Sequence, residues 1–523
     1  MSGKTTRKDI ENALMRGADT LRDTIDAANY KDYVLPVMFL KYLSDSYNEE
    51  VDKLKQQYEG VRLERQKRYL PFTVAEQCSF DSLYERRFSN DIGQLINAAM
   101  RQIEADNNQQ LAGVLSAVDY NSENALGTRE HKNAILRDLL EDFSTLDLQP
   151  SHIEVKEGQI PADVIGDAYE YMIGQFASMA GKKAGSFYTP AAVSEIMARI
   201  VDVKPGERVY DPTCGSGSLL IRAAKHGNSS EIAIYGQEVN GSSVAMAKMN
   251  MYIHEIRDAK IAWGDTLANP IFKDADGNLL QFDAIVANMP FSKDKWASGF
   301  NPGGEAVGKG KKEFKMEASL DKFHRFDWGV PPASKGDWAF LLHMIASMSV
   351  NGRVAAVAPH GVLFRGAAEG RIRQRVVDEN LLDAVIGLPE NLFYGTPIPA
   401  CILVFKKGRT TTDVCFIDAS KKDEDGALRY VKAKNQNELA QKHIDDIIEA
   451  YQQRKDRDKF VHVATLEEIK ENGYNLNIPR YVDTFEEEEI IDIDEVQANI
   501  AKIKAEIAAA EAKMDAYLKE LGL

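Results

Sequence analysis

Paired cysteines, long hydrophobic runs and excess positive charge are all missing from this sequence, and each absence argues against a class of protein. The four cysteines include no CxxC pair, so neither a zinc site nor a disulfide framework is indicated. The most apolar early run, Tyr33 to Leu43, contains Pro36 and Lys41 and is far shorter than the roughly 20 residues that cross a bilayer. The first 16 residues lack the apolar core of a signal peptide. We therefore expect a soluble, cytoplasmic protein.

The net charge of −16 argues against a protein that grips DNA alone across a broad face, because phosphate contacts need lysine and arginine. A DNA enzyme with this charge needs a local basic surface or a basic partner. The remaining composition, 44% hydrophobic and 28% charged residues, is typical of globular proteins. Because one core rarely extends past ~250–300 residues, the 523 residues predict two or three domains.

The hydrophobic spacing changes along the chain and predicts three parts. Residues 1–165 carry apolar residues three and four positions apart, which indicates a helical N-terminal domain. Residues 166–482 form a second domain, in which short apolar runs alternate with helical stretches from about residue 185. This alternation is typical of a doubly wound α/β fold with a mainly parallel sheet. The predicted strands are RVYD (208–211), AIYGQE (233–238), KIAWGD (260–265), FDAIVAN (282–288), RVAAVAP (353–359), LDAVIGLP (382–389), ACILVFKK (400–407) and VCFID (414–418).

The third part, residues 483–523, is an acidic linker followed by a helix. Its apolar positions are Ile493, Val496, Ile500, Ile503, Ile507, Ala510, Met514, Tyr517 and Leu521. They alternate in steps of three and four, which is the a/d seam of a coiled coil. A seam this narrow favours a partner helix over packing on its own chain, although the spacing allows both.

A glycine-rich turn, DPTCGSGSLL, follows the first predicted strand at residues 211–220. Gly215 and Gly217 allow the backbone to turn tightly at a helix N-terminus and to approach a ligand. Glu238 ends the next strand and Asp265 the third. An acidic residue about 20 positions after such a turn suits ribose recognition. The three strand ends together favour a nucleoside-containing cofactor over a plain tight turn.

The glycine spacing is neither GxGxxG nor a P-loop, since no lysine follows the glycines. This argues against NAD and ATP. The fourth predicted strand ends in Asn288, Met289, Pro290 and Phe291. An asparagine carbonyl and the next backbone carbonyl can both accept hydrogen bonds from one exocyclic amino group, which frees the nitrogen lone pair for attack. Pro290 restricts Met289 to extended geometry, and Phe291 can stack on an extruded base. Taken alone, such a strand end is more often a simple turn.

The motifs together resemble the amino-methyltransferase family, and specifically the modification subunits of type I restriction–modification systems. Residues 185–190, GSFYTP, resemble the cofactor motif that precedes the glycine loop, and ANMPF resembles the catalytic NPPF or NPPY. Five further stretches add specificity: FSKDKW, FDWGVPPASKGDWAFLLHM (326–344), GVLFRG (361–366), ENLFYGTPIPACILV (390–404) and YNLNIPRYV (474–482). The order of the motifs is that of the adenine-N6 group. The resemblance covers residues 170–485 strongly and the two ends in outline.

The resemblance implies a Rossmann-like methyltransferase domain that uses S-adenosylmethionine and needs no metal. It implies that Glu238 holds the ribose hydroxyls, that Asp265 holds the adenine of the cofactor, and that the catalytic residues are Asn288, Met289, Pro290 and Phe291. The implied cofactor-binding residues are Gly185, Ser186, Phe187, Tyr188, Thr189, Pro190, Asp211, Gly215, Ser216, Gly217, Glu238 and Asp265. The implied partners are DNA, a specificity subunit docked through the C-terminal helix, and a restriction subunit, with two modification subunits per specificity subunit.

The chain departs from the family pattern at Met289, where proline is usual. The acceptor there is a backbone carbonyl, so the chemistry survives with less rigidity. Three other interpretations remain: a stand-alone methyltransferase acting on adenine N6 or cytosine N4, a non-catalytic assembly subunit that keeps the fold, and a nicotinamide-dependent oxidoreductase. The last fails on the glycine spacing.

Residues 292–335 interrupt the strand–helix alternation. They carry nine basic and six acidic residues and six aromatic ones: Trp296, Phe300, Phe314, Phe323, Phe326 and Trp328. Basic and aromatic residues beside a catalytic motif favour a loop that contacts DNA or holds the base. A solvated loop with a few anchoring aromatics is the alternative.

Overall fold

The computed structural model describes residues 3–181, 188–227, 231–300, 316–394, 396–423, 426–433, 436–483 and 493–521. The chain divides into two units, Met1–Val482 and Asp483–Leu523. In the described parts, no helix is both long enough and apolar enough to span a membrane.

The first part of the larger unit is helical, as the sequence predicts. Its helices are α1 (Arg7–Thr20), α2 (Tyr30–Lys55), α3 (Gly60–Lys67), α4 (Phe80–Glu85), α5 (Ile92–Asp106), α6 (Asn108–Leu111), α7 (Glu123–Leu126), α8 (Arg129–Ser144) and α9 (Pro161–Ala180). The three- and four-residue spacing is visible in α5, where Ile92, Ile96, Met100 and Ile103 are all buried. Thr6 and Asp9 close a capping box that starts α1.

The helices enclose a first hydrophobic core that also includes Met246, Met249, Tyr252 and Ile253 from a helix of the α/β part. The expected boundary between residues 165 and 166 falls inside α9, whose buried face belongs to this core. The three-part division of the chain stays a prediction.

The α/β part contains α10 (Ala191–Val201), α11 (Ser218–His226), α12 (Gly241–Ile253), α13 (Asp337–Ala346), α14 (Ala367–Asp378), α15 (Gln441–Gln453) and α16 (Leu466–Glu471). Its strands are β1 (Arg208–Asp211), β2 (Ala233–Glu238), β3 (Lys260–Trp263), β4 (Phe282–Asn288), β5 (Met348–Pro359), β6 (Leu382–Gly387), β7 (Ala400–Lys406), β8 (Val414–Asp418) and β9 (Val461–Ala464). All eight predicted strands are present, and β9 is an addition.

The strands form one sheet in the order β3-β2-β1-β4-β5-β7-β6-β8-β9. The pairs from β3 to β5 are parallel. The strand β7 is antiparallel to both β5 and β6, and β9 is antiparallel to β8. The prediction of a doubly wound, mainly parallel sheet is therefore confirmed, with an antiparallel portion that the alternation of runs did not indicate.

Side chains of each central strand enter two different cores. On β4, Ala284 and Val286 join a second core with α10, α11 and α15. Ile285 and Ala287 join a third core with α13 and α14. Since both faces of the sheet are covered, this strand is a continuous apolar run.

The order of the sheet places the functional region. The chain runs outward from β1 to β2 and β3, then returns to pair β4 on the other side of β1. Ligands of open α/β sheets bind at the carboxyl ends of the strands where the order reverses in this way. The glycine turn after β1 and the NMPF segment after β4 lie at that point.

The smaller unit consists of α17 (Ile493–Glu520). The described large apolar residues of the predicted seam are between 43% and 74% exposed; they are Val496, Ile500, Ile503, Ile507, Met514, Tyr517 and Leu521. The predicted helix is thus confirmed, and none of the described residues of this unit covers its apolar stripe.

Candidate active site

The turn after β1 has the backbone geometry that its glycines predict. Gly215 and Gly217 adopt left-handed φ values of 51° and 77°, which residues with a Cβ rarely accept. A Cβ on Gly217 would also lie 3.1 Å from Met251 Cε. The turn therefore needs glycine for its conformation and for the close approach of α12, and α11 starts directly after it at Ser218.

Two buried carboxylates flank this turn. Asp211 Oδ1 accepts the backbone N–H of Thr213 at 2.8 Å. Glu238 Oε2 accepts the N–H of Gly215 at 3.0 Å, and its Oε1 accepts the N–H of Asn240 at 2.8 Å. The acid at the end of β2 thus ties the glycine turn to the neighbouring strand end. Its predicted role in binding the ribose stays a prediction.

Burial makes both carboxylates costly to ionise, and the charge of Glu238 adds to this cost for Asp211. Burial is the largest cause that raises the pKa of Asp211, to about 8; the N–H of Thr213 lowers it and the nearby charge of Glu238 raises it. Burial also raises the pKa of Glu238, against the lowering effect of the Asn240 and Gly215 N–H groups. A positively charged ligand would relieve this repulsion.

Two adjoining clefts open at these strand ends, and they share Thr213 and Asn288. The lining of the first cleft is Tyr188, Thr189, Asp211, Thr213, Cys214, Gly215, Ser216, Ser218, Leu219 and Asn288. The second cleft has a volume of about 240 Å³ and is lined by Pro212, Thr213, Glu238, Val239, Asn240, Gly264, Asp265, Thr266, Asn288, Pro290, Lys293 and Phe340. Residues from six separated segments therefore meet around Asn288.

Asp265 lies on the second cleft together with Glu238. Its Oδ1 accepts the N–H groups of Leu267 and Ala268, at 2.9 and 3.2 Å. These two bonds, both to Oδ1, hold the loop after β3 in place.

Asn288 ends β4 with a half-buried side chain whose orientation is set by Thr189. Its Nδ2 donates a hydrogen bond to Thr189 Oγ1 at 3.1 Å, across 99 residues of sequence. This bond engages the amide nitrogen, so the carbonyl oxygen is the polar atom left for a substrate amino group. The motif before the glycine loop and the motif after β4 are thereby joined in one site.

The rest of the NMPF segment divides between the core and the cleft. The side chain of Met289 is 1% exposed and packs in the third core. Pro290 is exposed and lines the second cleft. The ring of Phe291 packs edge-on against Phe393, with centroids 6.0 Å apart. The residue that replaces the usual proline thus occupies a buried position away from solvent.

Of the remaining predicted cofactor residues, some belong to the described part of the structure and others do not. Tyr188 packs against Tyr394, with ring centroids 5.7 Å apart, and burial raises its pKa. Ser216 is buried, and its Oγ lies 3.0 Å from Ser218 Oγ. Pro190 is buried at the start of α10. Gly185, Ser186 and Phe187 fall outside the described residues.

The interrupting segment after β4 is anchored by several of its aromatic residues. Trp296 and Phe326 are fully buried, with ring centroids 5.2 Å apart, and Phe300 packs against both. Buried rings in the third core anchor the segment and are not free to stack on a base. Phe314 lies outside the described residues, so the predicted DNA contact is not decided for the whole segment.

Lys293 and Phe340 line the second cleft but were not singled out from the sequence. Both lie in stretches that carry the family resemblance, FSKDKW and GDWAFLLHM. Their distance in sequence from the glycine turn follows no known pattern, so the sequence did not identify them as cleft residues. Only the fold brings the loop after β4 and the helix α13 to this cleft.

Comparison with known proteins is consistent with the geometry. The model of the N-6 DNA Methylase family matches residues 161–490, and that of the HsdM N-terminal domain matches residues 10–143. The MjaVIII type I restriction enzyme methylase subunit of Methanocaldococcus jannaschii is 31% identical over 99% of this chain and 85% of its own length. The MpnII methylase subunit of Mycoplasma pneumoniae is 31% identical over 95% of this chain and 93% of its own.

A solved structure is similar over the same extent. The crystal structure of the type I restriction-modification system methyltransferase subunit from Streptococcus thermophilus has a TM-score of 0.76 and 36% sequence identity to this chain. The match covers 92% of this chain and 100% of that chain. The likeness therefore includes the helical part, the α/β part and their arrangement in sequence.

Proposed function

This chain belongs to the N-6 DNA methylase family, and we propose that it transfers a methyl group from S-adenosylmethionine to N6 of adenine in DNA. It is the modification subunit of a type I restriction–modification system and works in a complex with other subunits. The observation that carries this proposal is the meeting of the glycine turn, Glu238 and Asn288 around adjoining clefts.

The acidic and polar residues that line the clefts fit S-adenosylmethionine, which carries a sulfonium, an ammonium, two ribose hydroxyls and an adenine. Asp211 and Glu238 are acidic groups with raised pKa values that a cationic ligand would stabilise in their ionised forms. Each oxygen of Glu238 accepts one backbone N–H and keeps a second lone pair for a ribose hydroxyl. We assign the cofactor adenine to Asp265 and the methionine part to Phe187, Tyr188 and Pro190.

When bound, S-adenosylmethionine supplies a methyl group that is already activated for transfer. The chain itself has to orient and activate the acceptor amine. Asn288 Oδ1, held outward by the bond from Nδ2 to Thr189, accepts one N6 hydrogen. The backbone carbonyl of Met289 accepts the other. Both bonds favour a pyramidal nitrogen with an available lone pair, and Phe291 supports the ring of the extruded base.

The buried packing of Met289 supports catalysis over a purely structural role for the subunit. The motif uses the backbone carbonyl of this residue, and its side chain is 1% exposed in the third core. Anchoring in a core restricts that backbone in place of the proline ring. We therefore expect the change from proline to keep both hydrogen-bond acceptors available to the base.

The test is methyl transfer from labelled S-adenosylmethionine to DNA, followed by nucleoside analysis, with the chain alone and with its co-expressed specificity subunit. We expect label in N6-methyladenine only with the partner present. Label without the partner would identify a stand-alone methyltransferase, and label in cytosine would overturn the base assignment. Absence of label in both preparations, with cofactor bound, would favour the assembly-subunit interpretation.

A matched pair of variants tests the catalytic assignment. Asn288→Ala should abolish methyl transfer and leave cofactor binding largely intact. Asn351→Ala is the control, because Asn351 is exposed near the opposite end of the neighbouring strand β5. Wild-type turnover by the Asn288 variant would contradict the assignment of Asn288 as a catalytic residue.

The partner interface is the second element of the proposal. The exposed stripe of α17 docks on a helix of the specificity subunit, and two modification subunits flank one specificity subunit on DNA. Support comes from the continuous a/d spacing and from side chains that are 43–59% exposed at Val496, Ile500, Ile507 and Tyr517. A partner that supplies basic DNA contacts also accounts for the net charge of −16.

Paired substitutions on one helix test this interface. Ile500→Glu with Ile507→Glu puts two charges on the stripe and should prevent co-purification with the specificity subunit. Ala501→Glu with Ala508→Glu adds the same charges one position away and should leave the complex intact. Deletion of residues 493–523 should give the same loss without unfolding the α/β part. A stable complex after that deletion would remove the docking role.

A further inference from the structure

The loop that follows the NMPF segment is held by one buried carboxylate. The backbone N–H of Ser292, the residue after Phe291, donates to Asp337 Oδ1 at 2.6 Å. Asp337 is the first residue of α13 and is 0% exposed. Ser292 itself has a left-handed φ of 50°, an uncommon conformation for a residue with a Cβ. The contact is therefore a short, charge-assisted bond at the point where the chain turns away from the site.

The second oxygen of Asp337 extends the connection to the next strand end. Asp337 Oδ2 accepts Arg365 Nη1 at 2.9 Å, and the same nitrogen reaches Glu369 Oε1 at 3.0 Å. Arg365 lies in the loop after β5. A Cβ on Gly361 would come within 2.3 Å of its guanidinium, so glycine at that position makes room for the arginine. One carboxylate thus connects the loops after β4 and β5.

Further bonds attach the same loop to the segment before α13. The N–H of Gly336 donates to Lys293 O at 3.0 Å, and the N–H of Lys295 donates to Ala333 O at 2.9 Å. Trp296 Nε1 donates to Pro332 O at 2.9 Å. These bonds dock the loop on residues 332–336. The bond from Ser292 to Asp337 differs from these bonds in two ways. It lies directly after residues 288–291, and its acceptor is a carboxylate paired with an arginine.

We propose that Asp337 is a positioning residue for methyl transfer: by binding the Ser292 N–H and Arg365 together, it sets the backbone of residues 288–291 so that the Met289 carbonyl and the Phe291 ring meet the target base. This inference rests on the proposed function. Asp337 is not among the residues that line the two clefts, and it acts through Ser292. Because displacements of about 1 Å at a reacting centre can cost ~100-fold in rate, loss of this bond should affect turnover more than binding.

The experiment measures kcat, the KM for DNA and the Kd for S-adenosylmethionine in the assembled complex. Asp337→Ala removes both bonds and should lower kcat roughly 10- to 100-fold, with KM and Kd within about threefold of wild type. Asp337→Asn keeps an oxygen for the Ser292 N–H but loses the charge. It should recover part of the activity, which a role limited to general packing does not predict.

Asp383→Asn is the matched control. Asp383 is also buried and paired with arginine, at 3.2 Å from both Arg409 Nε and Arg454 Nη1. It lies on β6 and is not among the residues that line the two clefts. It should lower the melting temperature and leave kcat unchanged. A kcat for Asp337→Ala no lower than that of the control, or a loss confined to KM or Kd, would overturn the proposal.

Two readouts keep the inference and the proposed function apart. If the wild-type complex transfers no methyl group, the proposed function fails first. If the wild type is active and Asn288→Ala is inactive while both Asp337 variants turn over normally, the positioning role alone fails. Should Asp337→Ala not fold, Asp337→Asn decides through its kcat, expected to be about 3- to 10-fold below wild type.

Discussion

Replacing Asp211 by asparagine should make the empty protein more stable and the cofactor site weaker. The carboxyl ends β1, is 2% exposed and faces the glycine turn beside Glu238. Asparagine keeps an Oδ1 that can accept the Thr213 N–H and replaces the second, ionisable oxygen by an uncharged NH2 group. The substitution therefore separates the charge of this residue from its hydrogen bond.

The magnitude follows from the pKa, which rises from 3.8 to about 8 on folding. Each pKa unit corresponds to about 1.4 kcal/mol of difference between protonation states. A group whose pKa is raised on folding contributes stability at low pH that is lost as the pH climbs through the folded value. For Asp211 this loss extends from about pH 4 to pH 8 and amounts to at most about 6 kcal/mol. The asparagine variant, which cannot ionise at this position, should not show this pH-dependent loss of stability.

The assay is urea unfolding of the cofactor-free protein at pH 5 and pH 8, with calorimetric binding of S-adenosylmethionine over the same range. The advantage of Asp211→Asn over wild type should be larger at pH 8 than at pH 5. Wild-type affinity for the cofactor should rise with pH, because a cationic ligand favours the ionised carboxyl. The variant should bind more weakly and without this dependence.

Asp418→Asn is the control for this experiment. Asp418 ends β8 and is buried, and its Oδ1 accepts the N–H of Ser420, two residues on, as Asp211 does with Thr213. It lies far along the sheet from the glycine turn, so cofactor binding should not change. A stability difference between Asp211→Asn and wild type that is the same at both pH values, or an unchanged cofactor affinity, would refute the reasoning.

Three further substitutions have defined outcomes. Gly217→Ala, at φ 77°, should cost roughly 1–3 kcal/mol of stability and abolish cofactor binding, as measured by thermal unfolding and calorimetry. Gly166→Ala would place a Cβ 2.1 Å from His254 Cε1; it should cost about 1–3 kcal/mol in urea unfolding without changing cofactor affinity. Thr189→Val removes the acceptor of Asn288 Nδ2 and should lower kcat by about tenfold, as expected for ~1–2 kcal/mol of lost orientation; wild-type kcat would contradict the orienting role.

Much of the architecture was readable from local patterns. The central strands β4, β6 and β7 were predictable because both sides of the sheet are covered there, which makes each of them a compact apolar run. The turn at Gly215 and Gly217 was predictable because few other residues accept left-handed φ values. The final helix was predictable because its apolar steps of three and four repeat without interruption.

Other features depend on contacts between distant segments. The strand β9 is four residues long and mixed in polarity, so nothing local distinguished it from a loop. The antiparallel pairing of β7 with β5 and β6 follows from how the chain returns to the sheet and leaves no mark in the strand itself. The aromatic residues Trp296 and Phe326 suggested base contact, and their burial became visible only when the third core was assembled.

The sequence by itself determined which chemistry is present: a glycine turn, acids at strand ends and an asparagine before Pro290, each set by short-range steric and hydrogen-bonding requirements. The tertiary structure alone decided how those groups are oriented. Thr189 reaches Asn288 across 99 residues, and Asp337 reaches Ser292 across 45. Such contacts arise because α10 and α13 begin beside the end of β4. How helices and strands are placed around a sheet is a property of the whole fold rather than of any local segment.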